Sequence, residues 1–86
     1  MLADFWADWC MPCKMMAPIL NDVAAATEDK AAVYKLNVDE HQQVAAKYGI
    51  RNIPTMILFR DGKEVERIIG VKQKDYIISS IERARQ

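Results

Sequence analysis

A chain of 86 residues, 51% of them hydrophobic, with 12 basic residues set against 12 acidic ones, describes one small folded domain of zero formal net charge. That balance offers no basic patch for nucleic acid and no acidic tail, and no apolar run approaches a membrane span. No signal peptide precedes the first predicted strand, which points to the cytoplasm.

Met1 to Ala7 is apolar apart from Asp4 and reads as a strand buried on both faces. The helical pattern that follows extends from Met11 to Glu28. Pro12 falls in its first turn, where a missing N–H is harmless. Pro18 lies inside the same helix and predicts a kink. Ala31 to Val38 is rich in β-formers and reads as a second strand. Asp39 is placed to cap a short helix through His41 to Tyr48, with Gly49 as its terminator. Thr55 to Arg60 forms a third strand, and Asp61-Gly62 turns the chain back into Val65 to Ile69. Gln73 to Arg85 closes the chain as a helix with an apolar stripe of Tyr76, Ile77, Ile78 and Ile81. Strands alternating with helices predict an α/β domain with parallel pairing early and an antiparallel edge late. No repeat, low-complexity tract or linker interrupts it.

The only two cysteines, Cys10 and Cys13, sit in Trp9-Cys10-Met11-Pro12-Cys13, where the first strand gives way to the first helix. Such a pair can make and break a disulfide within one helical turn. The positive end of the helix dipole and the free N–H groups of the first turn favour the thiolate, which is the nucleophile of disulfide exchange. A structural zinc site needs four ligands, and the only other soft ligand is His41, otherwise a surface residue in the first turn of its helix. Two inert thiols, or a cluster bridged between two chains through two thiolates from each, remain open to counting alone. Asp4 is the second informative residue. A charged, unpaired carboxylate in an apolar strand costs several kcal/mol, so Asp4 is expected protonated or partnered, the alternative being a side chain turned to solvent.

The segments Asp4-Phe5-Trp6-Ala7-Asp8-Trp9-Cys10, Cys13-Lys14-Met15-Met16-Ala17-Pro18-Ile19-Leu20, Lys47-Tyr48-Gly49-Ile50-Arg51-Asn52-Ile53-Pro54-Thr55 and Phe59-Arg60-Asp61-Gly62 resemble the bacterial thioredoxin family. The resemblance covers nearly the whole chain and implies a single thioredoxin-like domain over residues 1–86: a minimal βαβαββα core with a four-stranded mixed sheet flanked by helices. Two departures accompany it. Met11-Pro12 stands where the family usually has Gly-Pro, and the family's usual first strand and helix are lacking, so the domain reads as truncated at its N-terminus. In the family the lacking strand pairs beside the stretch that matches Ala31 to Val38, which here becomes an exposed edge. Such an edge invites another chain, and dimerisation, strand swapping or aggregation is expected from it.

The resemblance implies a protein-disulfide reductase that binds no cofactor, acts on disulfide-containing proteins and is restored by a thioredoxin reductase-like donor. Cys10 is then the nucleophile at the exposed tip of the helix, and Cys13, more buried, resolves the mixed disulfide. Asp4 assists deprotonation of Cys13, with Lys35 in the next parallel strand as its partner. The resemblance further implies a cis Ile53-Pro54 bond facing the disulfide, with the Ile53 backbone open to an extended peptide. Trp9, Met11, Pro12, Gly70 and Val71 complete the docking surface, while Trp6 is assigned to packing and the methionines other than Met11 to the core. Met11 stiffens the loop between the cysteines and adds apolar surface beside Cys10. The alternatives are a more oxidising oxidase or isomerase, a redox-inactive binding or scaffold module, and a dimeric iron–sulfur carrier.

Overall fold

The computed structural model describes residues 1–85. The chain runs β1 (Leu2–Trp6), α1 (Met11–Ala26), β2 (Val33–Asn37), α2 (Gln42–Lys47), β3 (Thr55–Arg60), β4 (Lys63–Ile69) and α3 (Lys74–Ala84). The four strands form one mixed sheet in the order β2-β1-β3-β4. β1 pairs parallel with β2, the two joined by α1, whereas the β1–β3 and β3–β4 pairs are antiparallel. This is the expected α/β architecture.

β1 is central, and side-chain alternation along it supplies both halves of the core. Leu2 joins Met16, Leu20 and Val23 of α1, Met56, Leu58 and Ile68 of the sheet, and Ile77 and Ile81 of α3. Ala3 and Phe5 face the other way, against Ala45 of α2 and Ile57. Each fully buried Leu, Ile or Met contributes roughly 1.5–3 kcal/mol, so covering both faces of β1 is what makes a small sheet hold. The ring of Tyr48 bridges the second cluster, 6.3 Å from Phe5 and 5.4 Å from Phe59 between centroids.

Asp61 and Gly62 take φ of 53° and 79°, the pair of positive values that a two-residue type I′ hairpin demands. β4 starts two residues earlier than expected, at Lys63, because the register steps from Leu58↔Glu66 to Phe59↔Glu64. The bulge leaves Val65 as the extra residue, exposed on the edge strand.

Several expectations are corrected. α1 ends at Ala26, not Glu28, because the Thr27 hydroxyl and N–H both donate to the Val23 carbonyl and close the helix there. It continues as one element through Pro18. β2 begins at Val33, since Ala31 is held in a turn by donating its N–H to Thr27 O. His41, not Asp39, occupies the N-cap of α2 and makes no side-chain cap bond, so it stands just before the first turn. On α3 the buried stripe is Ile77, Ser80 and Ile81. Tyr76 is exposed, with Lys72 Nζ 5.8 Å from its ring centroid.

Candidate active site

α1 opens at the end of β1 with Cys10 as its N-cap. Cys10 and Cys13 are joined by a disulfide, their Cα atoms 5.2 Å apart, the only cysteines of the chain. The Cys13 N–H donates to Cys10 Sγ at 3.2 Å, so the first sulfur takes the place a capping oxygen fills in other helices. No acidic residue lies in the first turn of α1 to oppose a thiolate there. Cys10 was expected at an exposed tip with Cys13 more buried. Both are in fact buried to the same degree, 4% and 5% exposed. The reason is tertiary: Ala7, Trp6, Val38 and Ile53 pack around the pair, and the Ile53 carbonyl oxygen lies 3.7 Å from Cys10 Sγ.

Beneath the disulfide, a cavity of about 140 Å³ is lined by Asp4, Trp6, Cys13, Lys14, Ala17 and Lys35. Asp4 is 4% exposed, and its Oδ1 meets no hydrogen-bond partner among the described residues. Burial pushes its carboxyl up to about 6, with the charge of Lys35 pulling the other way. Lys35 stands opposite Asp4 in the parallel register, on the exposed edge strand β2, and its Nζ donates to Asn21 Oδ1 at 3.5 Å. Trp6 belongs to this cavity too, and its buried Nε1 likewise meets no partner among the described residues. Its spacing of two from Asp4 on β1 was a signal for the shared face.

Above the disulfide, the peptide bond Ile53-Pro54 is cis. Thr55 Oγ1 donates to Asn52 O and closes this loop, and the Gly70 N–H donates to Pro54 O at 2.9 Å. Gly70 takes φ of 90°, which brings the segment after β4 beside the loop. Trp9, Met11, Pro12 and Val71 are all exposed, Trp9 and Met11 at 68% and 66%. Trp9 is anchored all the same: its Nε1 donates to Asp39 Oδ2 at 2.9 Å. The sequence offers Asp39 as a helix cap, and nothing local marks it as the acceptor of an indole 30 residues away. The methionines also divide differently than expected. Met16 and Met56 are core, but Met1 and Met15, 45% and 61% exposed, join Met11 on the surface.

No helix among the described residues is long and apolar enough to cross a membrane. Nor does any group of three or more His, Cys, Asp or Glu side chains among them gather as metal ligands.

A disulfide closed across the first turn of a helix, over a buried carboxyl and under a cis-proline loop, defines a thiol–disulfide oxidoreductase site. The chain belongs to the thioredoxin family: the family model described as Thioredoxin matches residues 1–83. It is 46% identical over 82 residues to a thioredoxin of Staphylococcus aureus, an alignment covering 95% of this chain and 79% of that relative. Among solved structures, a mutant thioredoxin from Halobacterium salinarum NRC-1 superposes with a TM-score of 0.91 at 45% identity, covering 99% of this chain and 74% of that one. The thioredoxin NaTrxh of Nicotiana alata gives 0.89 at 44% identity over 99% and 72%. The protein is a protein-disulfide reductase that works through its Cys-x-x-Cys pair, with disulfide-bearing proteins as substrates and a reductase as donor.

Proposed function

We propose that Cys10 is the attacking thiolate and Cys13 the resolving one, with Asp4 as the proton acceptor for Cys13. Cys10 displaces one sulfur of the substrate disulfide as a thiolate and forms a mixed disulfide. Cys13 then attacks Cys10 Sγ, releasing the second substrate thiolate and closing the bond between the two cysteines. Two electrons pass from the dithiol to the substrate, and a reductase returns them. The observation that carries this assignment is the shared cavity: Cys13 and Asp4 line the same space below the disulfide, whereas Cys10 faces Ile53 above it. A carboxyl raised to about 6 is largely ionised at neutral pH yet basic enough to take a thiol proton as Cys13 attacks. Lys35 tunes that carboxyl through its charge.

Trp9, Met11, Pro12, Ile53, Pro54, Gly70 and Val71 form the docking surface. Ile53 packs against the cysteine pair, Met11 and Pro12 lie between the two cysteines in sequence, and Gly70 is bonded to Pro54, so an extended peptide laid against Ile53 would bring a cystine sulfur toward Cys10. A reducing cytoplasm suits this cycle, because the dithiol must be regenerated. The exposed edge of β2 supports the further reading that two copies pair or swap strands there. Sedimentation at high concentration tests it, and a sharp monomer would remove it.

Cys13→Ser should accumulate a mixed disulfide with a protein substrate through Cys10, and Cys10→Ser should accumulate none. A trapped adduct at Cys13 in the second variant would reverse the assignment of the two thiols.

A further inference from the structure

The sulfur atoms on the active face fall into two sets. Cys10 and Cys13 are buried and already joined in a disulfide. Met11 and Met15 are 66% and 61% exposed, four positions apart on α1 and hence one above the other on the same helix face. In this state the usual order of sulfur reactivity is inverted on this face. The thiols are spent and covered, and the accessible oxidisable sulfurs are the two thioethers beside them. Neither is used by the core, which takes Met16 and Met56.

We propose that Met11 and Met15 are a reversible S-oxidation site that governs protein docking. The oxidant is a peroxide. Its O–O bond breaks, one oxygen bonds to the thioether sulfur as a sulfoxide, and the other leaves as water, the sulfur losing the two electrons the peroxide gains. A sulfoxide turns a flexible apolar side chain into a strongly polar one that a docking protein must desolvate. Recognition of protein disulfides therefore weakens while the exchange chemistry of the cysteine pair is left intact, and methionine sulfoxide reductases reverse the change. The inference rests on the docking surface proposed above, to which Met11 belongs and which Met15 extends by one turn of α1. Met1, exposed at the opposite end of β1, serves as an internal reference.

The test oxidises the disulfide form briefly with dilute hydrogen peroxide, removes the remaining peroxide with catalase, and locates sulfoxides by peptide mass spectrometry. Reduction of insulin and of hydroxyethyl disulfide is then compared with that of the same protein before treatment. Sulfoxide is expected at Met11 and Met15 ahead of Met16 and Met56. The kcat/KM for insulin should fall by about fivefold, short of the effect of one methylene in an enclosed pocket, with the small disulfide unaffected. Sulfoxide reductase treatment should restore it. The double variant M11L/M15L, compared only with its own untreated state, should lose the sensitivity. An equal fall for both substrates, an unchanged insulin rate in the sulfoxide form, or a fall that persists in M11L/M15L would each overturn the proposal. No insulin reduction before treatment would instead overturn the docking reading beneath it.

Discussion

Asp4 and Lys35 stand opposite each other in parallel register on β1 and β2, yet they differ in their access to water. Asp4 is enclosed below the disulfide, whereas Lys35 lies on the exposed edge and hands its ammonium to Asn21. Desolvation therefore outweighs attraction at Asp4, and the carboxyl rises to about 6 even with a cation facing it. A buried acid held near neutrality in the same cavity as Cys13 is what the resolving step proposed for that thiol would need.

The same shift makes Asp4 a source of pH-dependent stability. Its carboxyl titrates near 3.8 in the unfolded chain and near 6 in the folded one. The neutral acid is favoured by burial, so its stabilisation is full below about pH 4, is lost as pH rises toward 6, and is flat above that. A shift of this size corresponds to on the order of 3 kcal/mol. Urea denaturation of the oxidised protein and of Asp4→Asn across that range should show the difference between them shrinking or reversing by that amount as pH rises. The exposed carboxylates of Glu64 and Glu82 titrate in both proteins and cancel. A difference that stays constant with pH would mean Asp4 is not desolvated.

Lys35→Met should move the Asp4 titration upward, since it removes the charge that lowers it and leaves burial unopposed. Carboxyl-carbon NMR of Asp4 reads this directly. The pH at which reduction of a protein disulfide reaches half its maximum should move up with it. An unmoved titration would show that solvent at the edge strand screens the ammonium completely.

Much of this site was legible because its signals are local. Cys10-Met11-Pro12-Cys13 marks the start of a helix, Asp61-Gly62 marks a hairpin, and Asp4 among apolar neighbours marks a buried acid. The rest depends on contacts that join distant segments. Cys10 is covered because Ile53 arrives from 43 residues away, a burial no helix-start pattern contains. Asp39 has an oxygen suited to a helix cap and to an indole N–H alike, and only the fold decides that Trp9 receives it. Met15 and Met16 are adjacent and chemically identical, so which is core depends on the angle at which α1 meets the sheet.

Gly62→Ala should destabilise the protein by about 1 kcal/mol without altering disulfide reduction. At φ of 79° with nothing within 4 Å of an added Cβ, the effect is backbone strain and not a clash. The turn joins the ends of β3 and β4 far from Thr55, where β3 leaves Pro54. A shift in the urea midpoint with unchanged kcat/KM is the expected pair of readings. Gly62→Asn should be milder, because asparagine tolerates positive φ better than alanine.

Trp9 and Asp39 supply the sharpest separation of positioning from stability. The indole is mostly exposed and gains little from burial, so the hydrogen bond to Asp39 Oδ2 is what gives it a preferred place beside Cys10. Asp39→Ala frees it. An exposed bond of this kind contributes about 1 kcal/mol or less to folding, and the urea midpoint should barely move. With Trp9 on the proposed docking surface, the entropy of the freed ring must instead be lost on each docking event, which should raise KM for a protein disulfide by about threefold to tenfold. kcat, which the proposed mechanism assigns to the thiols and Asp4, should hold. Asp39→Asn keeps an acceptor oxygen and should recover most of the lost affinity. Time-resolved anisotropy of Trp9, measured with Trp6 replaced by Phe, should report faster indole motion in Asp39→Ala. Equal KM values in the two Asp39 variants would mean that its charge, not its hydrogen bond, acts on the substrate.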